Sequence, residues 1–101
     1  MVIELLVVPG CPNEGPARDA LRAAAELAGL GTVPLMVTVV DSAEEAQRRG
    51  FVGSPMFLID GVDPFAVPGG PNGVTCRVYS TPDGLVGMPD VESLRDALLR
   101  A

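Results

Sequence analysis

Apolar residues in this chain come in two rhythms, unbroken and helical, and the two alternate along it. Val2, Ile3, Leu5, Leu6, Val7 and Val8 form a run interrupted only by Glu4. A run that continuous suits a strand buried on both faces, in the centre of a sheet covered by helices. Pro9 and Gly10 end it, Cys11 follows, and Pro12 fits the first turn of a helix, where a missing N–H is no loss. Ala17, Ala20, Leu21, Ala24, Leu27 and Ala28 then recur at helical spacing, with Arg18, Arg22 and Glu26 on the other side. Gly29 and Gly31 are stop signals.

After Pro34, residues 35–40 are β-branched and apolar, which predicts a second buried strand. Two buried strands joined through a helix predict a parallel, right-handed βαβ unit. Ser42 followed by Glu45 is a capping-box pattern, opening a short helix to about Arg49, and Gly50 ends it. Phe51-Val52-Gly53-Ser54-Pro55 bridges to a third strand over 56–60. A proline directly opening a strand makes Ser54–Pro55 a candidate cis bond. Asp60-Gly61 signals a turn, with no tight hairpin expected at once. Segment 62–74 carries three prolines, three glycines and Phe65 as its sole aromatic. It reads equally as a lid or binding loop and as a solvated insertion. Residues 75–79 predict a fourth strand, closed by the turn Thr81-Pro82-Asp83-Gly84. Asp90 can cap a last helix that carries Val91, Leu94, Ala97 and Leu98 on one face.

Composition narrows the function classes. With 101 residues, 48% of them hydrophobic, the chain suits one folded domain. A formal net charge of -6 without a cluster of Lys or Arg makes nucleic acid and anionic membranes poor partners. The absence of histidine removes imidazole bases, Cys-His dyads and most zinc sites. Two cysteines, Cys11 and Cys76, are too few for a disulfide scaffold or a four-Cys metal site within one chain. Neither a metal nor a cofactor is expected. Met1 leads straight into a strand with no basic segment, so no signal peptide is expected and the cytoplasm is the default location.

The order β-α-β-α-β-β-α, with a cysteine before the first helix and a proline opening the third strand, resembles the thioredoxin-like superfamily over essentially the whole length. The chain is most similar to small single-domain members whose first helix opens with Gly-Cys-Pro-Asn, here Gly10 to Asn13. Some sequences of this kind carry the name alkylmercury lyase. The resemblance implies an α/β fold with a four-stranded mixed sheet and helices on both faces. It implies a site built on Cys11, with Pro12, Ser54 and Pro55 as substrate-contacting residues and Ser54–Pro55 cis. In Cys11-Pro12-Asn13-Glu14, glutamate stands where the superfamily's redox motif has its second cysteine. A dithiol cycle within the motif is therefore impossible. What remains is one-cysteine chemistry, a mixed disulfide with a low-molecular-weight or protein thiol, or transient oxidation to a sulfenic acid.

Two influences on Cys11 oppose each other. A helix N-terminus favours a thiolate, while the Glu14 carboxylate disfavours it. The plainer alternative for Cys11 is an inert small residue at a buried corner. Pro55 would set the Ser54 main chain beside Cys11 for an extended peptide, or else only fix the strand's entry. Cys76 is expected to be a packed residue at a strand start. Placed at the far end of the sheet, it would lie about 17 Å from Cys11, too far for a disulfide. The sharper alternative pairs the two thiols for soft-metal or organomercurial handling, with Glu14 or Asp63 as the acid. Arg18 is one residue too far from Cys11 for a phosphatase-like oxyanion loop and is expected to be solvated. The preferred function is monothiol redox or thiol exchange; the competing one is a non-catalytic peptide- or protein-binding module.

Overall fold

A computed structural model describes residues 1–66 and 77–101. Strand β1 (Ile3–Val7) takes the centre of a three-stranded mixed sheet of order β2-β1-β3. Strand β2 (Leu35–Val39) runs parallel to it, from Ile3 opposite Leu35 to Val7 opposite Val39. Strand β3 (Met56–Ile59) runs antiparallel on the other side, pairing Leu6 with Met56 and Ile3 with Ile59. The run of apolar residues in β1 follows from that central position, since each face meets a separate core.

Ile3, Leu5 and Val7 point into the larger core with α1 (Glu14–Leu27) and α3 (Val91–Arg100), through Ala17, Leu21, Ala24, Leu94 and Leu98. Leu6 points the other way and packs with Val40, Met56, Phe51 and Ala46 of α2 (Ala43–Arg49). Helices thus cover both faces. Glu4 shares the α2 face, where it accepts hydrogen bonds from the Thr38 hydroxyl at 2.6 Å and from Arg49 at 2.7 Å.

The helix ends follow local chemistry. The Ser42 hydroxyl accepts from the Glu45 N–H at 3.1 Å, and Gly50 closes α2 with a left-handed φ of 66°. Asp90 accepts from both the N–H and the hydroxyl of Ser93, which holds its carboxyl below the ordinary value of 3.8. Helix α1 starts later than expected. Residues 12 and 13 form a turn before it, and the proline of its first turn is Pro16 rather than Pro12. The exchange is neutral for hydrogen bonding, because N–H groups of a first turn have no partner within the helix. Leu27 is 62% exposed, and Ala25 takes a buried place on the stripe instead.

Three expectations are corrected. Strand β2 is not a second buried strand: it lies at the sheet edge, with Met36, Val37 and Val39 exposed. Among the described residues the sheet has three strands, not four. Tyr79 begins a separate two-stranded ribbon of β4 (Tyr79–Thr81) and β5 (Gly84–Val86), turning at Pro82-Asp83. Asp60-Gly61 does form a tight turn, with positive φ at both residues and a bridge between Ile59 and Val62. Residues 67–76, which hold most of the Pro/Gly-rich loop, the start of the expected fourth strand and Cys76, lie outside the described residues.

Candidate functional site

Two corners meet at one end of β1. The antiparallel register brings the start of β3, and so Ser54 and Pro55 before it, alongside the end of β1. The Val8 N–H donates to the Ser54 hydroxyl at 3.1 Å, and the Cys11 N–H donates to the Val8 carbonyl at 3.2 Å. Cys11 is thereby linked to the strand-opening proline through Val8 and Ser54. The Ser54–Pro55 bond is cis, as expected. Cys11 carries a free thiol, 9% exposed, packed into the larger core, while Gly10 and Pro12 on either side are exposed.

The two candidate acids, Glu14 and Asp63, are committed to other contacts. The Glu14 N–H donates to the Cys11 carbonyl at 3.2 Å, and the Glu14 carboxylate pairs with Arg18 at 2.7 Å. Arg18 thus pairs with Glu14 one turn away along the helix, with its side chain partly exposed. Asp63, the other candidate acid, pairs with Arg77 at 2.7 Å and accepts from the Phe65 N–H. Each candidate carboxylate has a cationic partner of its own.

Beside Pro55 lies a cluster that sequence reasoning passed over. The Arg77 N–H donates to the Ser54 carbonyl at 2.9 Å. Its guanidinium is held by Asp63 and the Phe65 carbonyl, and it sits 4.6 Å from the Tyr79 ring centroid, a cation–π geometry. The Tyr79 hydroxyl donates to the Pro55 carbonyl. Phe57, Phe65 and Tyr79 meet edge to face at centroid distances of 5.5 to 6.3 Å. Arg77 and Asp63 are 10% and 8% exposed, so this ion pair is almost entirely removed from water. Burial pushes the Tyr79 phenol well above its ordinary value; Arg77 opposes the shift and Asp63 adds to it.

Gly53 shows how closely Arg77 approaches. A Cβ there would stand 2.8 Å from the Arg77 Cβ, and its φ of +144° is one that L side chains rarely adopt. A signal for the cluster did exist, since Arg77 is the only cation between Arg49 and Arg95. Arg77 stands at the Cys11 end of the sheet, beside Ser54; Cys76, on which the expected distance to Cys11 rests, lies outside the described residues.

Comparisons with protein-family models, with curated proteins and with solved structures return no match. No helix among the described residues is long and apolar enough to cross a membrane.

Proposed function

We propose that this chain is a thioredoxin-like domain acting as a monothiol redox or thiol-exchange protein through Cys11. One observation carries the reading: the hydrogen-bonded path from Cys11 through Val8 to Ser54, which sets a free thiol at the corner opened by Pro55. The parallel β1–β2 pair and the antiparallel β3 support the fold assignment. In the reaction, the Cys11 thiolate attacks one sulfur of a disulfide and a mixed disulfide forms. The other sulfur leaves as a thiolate and takes up the proton that Cys11 gave up. Glu14 has no sulfur with which to resolve that product, so the mixed disulfide stays until an external thiol attacks it.

The test is incubation of the native protein with glutathione disulfide at neutral pH, read by intact mass and peptide mapping. A single glutathione on Cys11, stable until a thiol is added, is expected. No turnover in insulin reduction should accompany it, and Glu14→Cys should gain some. A Cys11 that takes no glutathione in the native state, or insulin reduction that survives Cys11→Ser, would overturn the reading.

A further inference from the structure

We infer that the exchange partner of Cys11 is a low-molecular-weight thiol or disulfide, not an extended polypeptide, and that Arg77 is the residue that excludes the polypeptide. The inference rests on the thiol-exchange reading and goes on to name its substrate class. An extended peptide is recognised beside a strand by pairing with unsatisfied main-chain N–H and C=O groups. At this corner the main chain in question is that of Gly53 to Pro55, and three observations close it.

The Ser54 carbonyl already accepts from the Arg77 N–H, and the Pro55 carbonyl already accepts from the Tyr79 hydroxyl. Ser54 is 1% exposed and Pro55 is fully buried, so no incoming chain reaches either. The space over Gly53 is filled by the Arg77 main chain and Cβ, with the Cα and N 3.3 Å from where a Cβ on Gly53 would stand. Arg77 therefore takes the place that a substrate residue would need beside Gly53 and Ser54, and it is firmly anchored. Its guanidinium is tied to Asp63 and Phe65 and stacked on Tyr79, in surroundings where an uncompensated charge is costly.

Among the described residues, the exposed positions flanking Cys11 are Gly10 and Pro12. A small disulfide can bring one sulfur to Cys11 from that side, since it needs no main-chain pairing. Exchange then balances within the pair of reactants. The small disulfide is the oxidant, one S–S bond breaks as one forms, and the released thiolate carries the proton away.

The test compares two activated disulfides with the same thionitrobenzoate leaving group, one of glutathione and one of an extended peptide with a central cysteine. Rates of adduct formation at Cys11 are read by mass. In the wild-type protein the peptide should react no faster than glutathione. Two main-chain hydrogen bonds to a receptive strand would accelerate the peptide about tenfold. A peptide rate above the glutathione rate therefore overturns the inference while leaving thiol exchange intact. Failure of both reagents overturns thiol exchange itself. A second measurement addresses Arg77 without any substitution. Its amide hydrogen, bonded to Ser54, should be protected from exchange with solvent in the native protein. Free exchange at that amide would show that the corner stands open and would overturn the inference too.

Discussion

The two edges of the sheet lie on opposite sides of β1 and are finished in opposite ways. Along β2 the chain is uncharged from Leu35 to Val39 and apolar but for Thr38, yet Met36 and Val39 are each half exposed. Val40 donates to Val7, so Val37 and Val39 turn their main-chain groups outward by alternation, where no strand among the described residues pairs with them. Along β3 both ends are sealed. Val62 exchanges hydrogen bonds with Ile59 at one end, and Arg77 binds Ser54 at the other. The sealed end is the one next to Cys11. A strand edge is an invitation to any extended chain. Here that invitation is withdrawn at the thiol and left standing on the other side of β1. The difference lies in local chemistry: among the described residues, a buried ion pair and an aromatic cluster finish one edge and neither finishes the other.

Breaking the sealed edge should have the largest effect. Asp63→Ala strands the Arg77 guanidinium among Phe65, Tyr79 and main chain, and loss of one partner of a buried pair costs about 3–5 kcal/mol. Urea denaturation measures it; a loss under about 1 kcal/mol would place the pair in the class of surface ion pairs and undo the account of Arg77 as an anchor.

Tyr79→Phe is expected to cost less, about 1 kcal/mol at neutral pH for one hydrogen bond lost to the Pro55 carbonyl. Its clearer signature is in alkali. The phenol is raised above the ordinary 10.0 mainly by burial. Its contribution is therefore whole below pH 10.0 and is lost as pH rises from there toward the folded-state value. Tyr79 is the only tyrosine and the chain has no tryptophan, so tyrosinate absorbance reports it without interference. Absorbance should rise together with unfolding, and the phenylalanine variant should lose this alkaline component of destabilisation. A phenol that ionises at its ordinary value in the folded protein would contradict its burial.

The smallest effect belongs to the open edge. Val39→Lys, at a half-exposed position, should change stability by no more than about 0.5 kcal/mol. A loss of several times that would mean that β2 is covered in solution and that the two edges are less unlike than they look.

Much of the site was legible from adjacent residues. Pro9-Gly10 ending a strand set the place of Cys11, and Ser54-Pro55 before an apolar run identified the cis bond. Ser42 with Glu45, and Asp90 ahead of an apolar stripe, marked two helix starts that the hydrogen bonds reproduce. These features depend on sterics and hydrogen bonding within a few residues, so a local reading reaches them. Glu14 in the place of a second cysteine is legible in the same way, since it excludes a dithiol cycle whatever the fold.

What only the tertiary structure decided is where each element found its neighbours. Apolar composition says that β2 can be buried, but the number of strands beside it depends on topology, and the order β2-β1-β3 leaves it at an edge. Tyr79 has the composition of a sheet strand, yet it pairs with Val86 in a separate ribbon. Arg77 is the plainest case. Asp63 is fourteen residues away from it and Ser54 is farther still, so no local pattern ties the three together. Their meeting is fixed by long-range packing around Phe57, Phe65 and Tyr79, because a buried cation is stable only where an anion and carbonyls have already been brought to receive it.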